Sequence, residues 1–248
     1  MLKLATKFVP RQPAYETAYR AGYRHAELWL GAKLLADWRG LARQARHYPF
    51  AYALHFPNRL ELGAETLEQA VCLYRALDCQ CMIIHQPMFD RFHEALTRHE
   101  PKLQLAVENH RLTPEAFDHW AERNPGLTLD VEHLWKFTLA GAPLEEVLRA
   151  VRRFLERSAA RLRHVHLPGY YPGFDEHRPM YCSRDLVFAV LSLLAEFHFE
   201  GLIVSEVDAE YQNFHDLRMD ALLFDRWREQ HDSPSGGLPE GAVPGLDR

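Results

Sequence analysis

Residues 103–133 read LQLAVENHRLTPEAFDHWAERNPGLTLDVEH. Two short apolar runs, each closed by a carboxylate with a histidine nearby, flank one helix-sized segment. That is the pattern of a strand–helix–strand unit in a parallel α/β sheet. Glu108 ends the first run, Asp130 ends the second, and His133 follows three residues later. In parallel barrels and open α/β sheets the site lies at the carboxyl ends of the strands, so acids placed there point at a shared mouth. A charge that ends an apolar strand needs compensation, and a metal ion or a substrate is the usual compensator. Taken singly, such a residue reads most simply as a strand end meeting solvent. Repetition of the pattern on other strands would count against that reading.

The pattern repeats along the rest of the chain. Strand-like runs occupy residues 2–9, 26–30 (with Glu27 inside), 50–55 (ended by His55 before Phe56 and Pro57), 81–85 (ended by His85), 161–167 and 202–206 (ended by Glu206). In the run 161–167, His164 and His166 are two apart and so share one strand face. Helical spacing covers residues 13–22, 34–47, 64–78, 89–100, 143–158, 184–199 and 214–230. Eight strands alternating with helices predict an α/β fold, a (β/α)8 TIM barrel, with an open doubly wound sheet as the fallback. Residues 1–231 are expected to form a single barrel. Residues 232–248, rich in Pro and Gly and without apolar periodicity, are expected to be a disordered tail.

Composition sets further bounds. With 248 residues, 47% of them hydrophobic, the chain can bury a sizeable core. A formal net charge of −5 gives no general basic field, so broad attraction to nucleic acid or a membrane surface is not expected, although 29 Lys and Arg leave room for a local patch. The four cysteines, Cys72, Cys79, Cys81 and Cys182, have no zinc-ribbon spacing. The opening MLKLATKFVPRQ is too short an apolar run for a secretory segment, and nothing approaches a membrane span, so a soluble, cytoplasmic protein is expected. Among the 15 histidines, placement matters more than number, since several stand at strand exits.

Collected from those exits and the loop after strand seven, the residues are His55, His85, Glu108, Asp130, His133, His166, Asp175, His177 and Glu206. Imidazole and carboxylate are ligands for zinc, manganese and related ions, and a barrel mouth gathers side chains distant in sequence. A lone histidine of this kind is more often a structural one with a hydrogen-bond partner. Nine such residues around one predicted mouth make a divalent metal site the stronger expectation.

This constellation resembles the xylose-isomerase-like barrel superfamily, which includes sugar isomerases, ketose epimerases and endonuclease IV. The resemblance spans about residues 2–230. It implies a shared metal held by Glu108 in VENH, Asp130 in LDVEH, His166 in HVHLPG and Glu206 in IVSEV, with Asp130 and His133 matching an Asp-x-x-His motif. It also supplies counterparts for the further zinc ligands of endonuclease IV in His55, His85, Asp175 and His177. Departures are visible as well. Leu167-Pro168-Gly169 follows His166 where a polar residue and Asp often stand, Tyr181-Cys182-Ser183 replaces a frequent Gly-Glu-Gly, and Asn58-Arg59 stands where endonuclease IV carries a tyrosine.

The resemblance implies two chemistries. The favoured one is a metal-dependent isomerase or epimerase acting on a sugar or sugar-like hydroxy-carbonyl compound through an enediolate, with Glu108 and Glu206 as base and acid and His133 contacting substrate. The alternative is a multi-zinc phosphodiesterase of the endonuclease IV type. There Glu108 would bridge two ions, His55 and His85 would complete one, and His133, Asp175 and His177 would hold another. Nucleic acid is then the partner, which the loop departures disfavour. A barrel that binds metal without turnover is a third class. The expected cofactor is a divalent ion, zinc or manganese with magnesium and cobalt as further candidates, in one to three copies. In a one-metal site, His177 and Arg178 would face the substrate while Asp175 oriented the histidine.

Overall fold

The computed structural model describes residues 2–172 and 177–232. Asp175 and the expected tail beyond Asp232 lie outside the described residues. Eight parallel strands close into a barrel in sequence order: β1 (Lys3–Phe8), β2 (His25–Trp29), β3 (Ala51–His55), β4 (Met82–His85), β5 (Leu105–Glu108), β6 (Leu127–Asp130), β7 (Leu162–His166) and β8 (Leu202–Ser205), with β8 pairing back onto β1. The helices are α1 (Gln12–Ala21), α2 (Ala32–Leu35), α3 (Trp38–Ala45), α4 (Ala64–Ala76), α5 (Gln86–His99), α6 (Pro114–Arg123), α7 (Val131–His133), α8 (Leu144–Ser158), α9 (Arg184–Glu196) and α10 (Phe214–Asp232). None of them, among the described residues, is long and apolar enough to cross a membrane.

Three elements differ from the sequence reading. The segment expected as one helix over 34–47 is two, because Asp37 caps α3 by accepting from the Gly40 N–H at 3.1 Å and thereby ends the preceding turn. The helix expected from Phe89 begins at Gln86, since Pro87 fits the first turn, where its missing N–H costs nothing. After Asp130 the chain turns at once into α7 and then a π-helical turn, Leu134–Thr138, neither of which periodicity announces.

The two-residue period of each strand divides the core. Outward residues such as Leu28, Leu54, Ile84, Val107, Leu129 and Val165 pack with the helices in one large cluster. Inward residues Ala5, Ala53, Cys81, Ile83, Leu202 and Val204 form a second, smaller cluster inside the barrel. Two strand-leading glycines let the barrel close tightly: a Cβ on Gly126 would lie 2.2 Å from the Leu105 carbonyl oxygen, and one on Gly201 would lie 2.1 Å from that of Arg163. Towards the carboxyl ends the inward face changes character. It carries Lys7, Glu27, His55, His85, Glu108, Asp130, His164 with His166, and Glu206 just past β8. Every strand thus sends an ionisable group to the same end of the barrel.

Candidate metal centre

Strand register brings the ligand types together. His85 pairs with Glu108 across β4 and β5, and Asp130 pairs with His166 across β6 and β7. The strand ends are tied by Asn109, whose Nδ2 donates to the Asp130 carbonyl at 2.9 Å while its Oδ1 accepts from the Asp130 N–H at 2.6 Å. Asp130 caps α7, its Oδ1 accepting from the His133 N–H at 2.8 Å, which leaves Oδ2 for the mouth. One turn of helix then returns His133 to the rim, the physical reason for the three-residue spacing.

Glu108 is the hub. Its Oε2 lies 3.2 Å from His55 Nε2, 3.3 Å from His85 Nε2 and 3.7 Å from His166 Nδ1, and its Oε1 lies 3.3 Å from His133 Nδ1. Asp130 Oδ2 is 3.2 Å from His133 Nδ1 and 3.7 Å from His166 Nδ1. Glu206 joins through His166, whose Nδ1 is 2.8 Å from Glu206 Oε2, while Lys7 Nζ holds Glu206 Oε1 at 2.7 Å. Two groups with spacing suited to an ion therefore share Glu108: His55, His85, Glu108, and Glu108, Asp130, His166. His177 stands apart from both. Its Nδ1 is 2.9 Å from Glu132 Oε2, and its ring meets that of His133 edge-on at 5.7 Å.

The donor set fits a divalent ion. Glu108, Asp130 and Glu206 gather at the end of an apolar barrel, where unpaired like charges are costly. Asp130 Oδ2, His133 Nδ1, His166 Nδ1 and Glu206 Oε2 are buried and make no hydrogen bond of acceptable geometry among the described residues. The protonation pattern points the same way. Burial opposes charge on Glu108, but the His85 and His166 charges outweigh it and hold the carboxyl well below the usual range. Burial likewise opposes the charged form of His166, yet Glu206 and Glu27 push its pKa well up. His133 is raised against burial by Asp130 and Glu108. Protons on imidazoles thus balance the carboxylates, and a bound dication would displace them, as metal sites of this type do. His55 goes the other way, lowered by burial and then by the Lys7 charge, which leaves a neutral imidazole suited to ligation.

Several residues of the mouth escaped the sequence reading. Lys7 and Glu27 join below the expected ligands. His110 stacks on His85 at 4.6 Å, and its pKa is depressed to about 4 by burial and then by the charges of His85 and His133. Glu132, passed over between Asp130 and His133, is only 2% exposed and pairs with His177. That pair pushes His177 up to about 10, against burial. The mouth opens into a cavity of about 280 Å³ whose walls include Trp29, His110 and Val207.

No protein-family model and no curated protein sequence matches the chain. Solved structures do. A D-tagatose 3-epimerase-like protein superposes with a TM-score of 0.64 at 16% identity, over 92% of this chain and 98% of that one. D-allulose 3-epimerase from Methylomonas sp. in complex with D-allulose gives 0.59 at 15% identity, over 92% and 97%. Endonuclease IV from Thermus thermophilus gives 0.59 at 16% identity, over 92% and 99%. The fold is the closed (β/α)8 barrel that the alternation of strands and helices predicts, and it is shared with these sugar epimerases and with endonuclease IV. At these identities the likeness is one of fold.

Proposed function

We propose that the chain is a metal-dependent isomerase or epimerase of a sugar or sugar-like hydroxy-carbonyl compound. The observation that carries this reading is that Glu108 at the end of β5 and Glu206 just past β8 converge on one point, 3.7 and 2.8 Å from His166 Nδ1 on β7 between them. Glu108, Asp130, His166 and Glu206 would hold the ion. When bound, such an ion polarises neighbouring carbonyl and hydroxyl oxygens and stabilises the negative charge that develops as a carbon-bound proton leaves. One glutamate takes that proton and the other returns one on the opposite face, passing through an enediolate. Acid–base help of this kind contributes roughly 10²–10⁴ in rate. Lys7 at 2.7 Å keeps Glu206 ionised, and burial, which alone would raise its carboxyl, is outweighed by Lys7 and His166. His133 lines the mouth cavity, where it would meet a substrate oxygen. A cavity of about 280 Å³ suits one small molecule, near the lower end of the roughly 300–1,000 Å³ of small-ligand pockets.

One observation favours a second reading. Glu108 is shared between two ion-sized groups, as a carboxylate bridging two metals would be, which is the arrangement of metal-dependent phosphodiesterases. His55 and His85 would complete the added ion. The two readings part in solvent isotope exchange. The isomerase predicts that deuterium from the solvent enters the carbon beside the carbonyl of a productive ketose. Incision of an abasic-site duplex with no exchange in any ketose of a panel would replace it with the phosphodiesterase. Metal analysis after loading adds a second readout, one equivalent for the isomerase and two or three for the cluster. If His177→Ala loses one equivalent and keeps the rest, His177 is a ligand arm and the cluster reading stands.

A further inference from the structure

Beneath the mouth, four side chains close a ring. His166 Nδ1 lies 2.8 Å from Glu206 Oε2, Glu206 Oε1 lies 2.7 Å from Lys7 Nζ, Lys7 Nζ lies 3.3 Å from Glu27 Oε1, and Glu27 Oε2 lies 2.9 Å from His166 Nε2. The ring draws on β1, β2, β7 and the residue after β8. Glu27 and His166 are completely buried and Lys7 is 6% exposed. His164, also completely buried, adds a second imidazole to the same Glu27 oxygen at 2.6 Å, and its other nitrogen is 3.6 Å from Cys81 Sγ.

An ionised carboxylate only accepts hydrogen bonds, so the group it meets on an imidazole is an N–H. Of the two ring nitrogens, Nε2 makes a hydrogen bond to Glu27, whereas Nδ1, although 2.8 Å from Glu206, makes none of acceptable geometry among the described residues, so Glu27 keeps the proton of His166 on Nε2. In the neutral ring the lone pair is then on Nδ1, the nitrogen that faces Glu206, Glu108 and Asp130. Lys7 acts similarly on the other side: by holding Oε1 of Glu206 it turns Oε2 to the mouth. The same three atoms of Glu27, His164 and His166 could in principle gather an ion of their own. Both imidazoles hydrogen-bond this carboxylate directly, at 2.6 and 2.9 Å, however, and the Lys7 ammonium on its other oxygen repels a cation.

We propose that Glu27 is a positioning residue of the metal centre: through His166 directly, and through Lys7 to Glu206, it fixes which nitrogen and which oxygen are presented to the ion. Outer partners of this kind typically change metal affinity 10- to 100-fold. The proposal rests on the reading of the mouth as a metal centre.

The test uses the full chain, stripped of metal and titrated with zinc against a chromophoric chelator, with the His166 ring followed by long-range ¹H–¹⁵N correlation. Zinc-loaded wild type should show His166 protonated on Nε2 alone. Glu27→Gln, which keeps the shape but not the charge, should bind zinc about 10- to 100-fold more weakly. Glu27→Asp, which keeps the charge but draws the carboxylate back by one methylene from both His166 Nε2 and Lys7, should also bind more weakly, so loss of fold in the glutamine variant does not remove the test. If zinc-loaded wild type carries the His166 proton on Nδ1, or if a folded variant binds as tightly as wild type, the role of Glu27 is refuted while the metal centre stands. If wild type binds no zinc or manganese, the metal centre itself falls and the proposal with it.

Discussion

Asp220 on α10 is completely buried and clamps two limbs of the mouth. Its Oδ2 accepts from Ser205 Oγ at 2.5 Å, beside Glu206, and its Oδ1 accepts from the Tyr181 N–H at 3.2 Å, in the turn that follows His177. Burial pushes its carboxyl up from the ordinary 3.8 to about 7, against the hydrogen bonds from Ser205 and the backbone of Met180 and Tyr181. The folded chain thus binds this proton more tightly than the unfolded one. The associated stability is fully present below the unfolded value and is lost as pH rises through about 7. At about 1.4 kcal/mol per pH unit, Asp220 alone removes about 2 kcal/mol between about pH 5.5 and about pH 8. Asp220→Asn mimics the protonated acid, its oxygen accepting from Tyr181 and its amide donating to Ser205 Oγ. The stability of Asp220→Asn relative to wild type should therefore rise by about 2 kcal/mol across that window. Urea unfolding of metal-free protein at each pH measures it, and subtracting wild type cancels the histidines common to both. A difference that stays flat to within about 0.5 kcal/mol would refute the buried, proton-holding role of Asp220.

Glu108→Gln removes the shared carboxylate, so zinc affinity should fall by more than the roughly 10- to 100-fold that loss of an outer partner costs, and elemental analysis after loading should show at least one equivalent missing. Full retention would show that Glu108 is no ligand. Gly201→Ala sets a Cβ 2.1 Å from the Arg163 carbonyl oxygen, which belongs to β7 and cannot swing away, so urea unfolding should show a loss of roughly 1–3 kcal/mol. A loss below about 0.5 kcal/mol, the size of an ordinary surface change, would mean the strands part without cost there.

The order of strands and helices was legible because short apolar runs alternate with segments of helical spacing, and Glu108, Asp130, His55 and His85 were legible because each closes one of those runs. What sequence hides is partnership across the barrel. Glu27 reads as a stray acid in AELWL, and the two histidines that explain it are 137 and 139 residues away. Lys7 sits in a polar-looking TKF, and only the closure of β8 onto β1 brings it to Glu206. Glu132 is invisible between two better-known positions until His177 folds over it. The helix boundaries that moved did so for local reasons, the cap at Asp37 and the first-turn role of Pro87, both of which compete with simple periodicity.

The seam between β8 and β1 has a consequence for how the chain is made. Lys7 and Glu206 are separated by 199 positions of the 248-residue chain. During synthesis, a nascent chain that stops short of Leu202 leaves β1 and β7 as open edges, the kind of surface that recruits other strands into aggregates. Lys7 meanwhile has no Glu206 to meet. The lower ring and the last barrel contact depend on the same strand, so a truncation that removes β8 costs architecture and chemistry together.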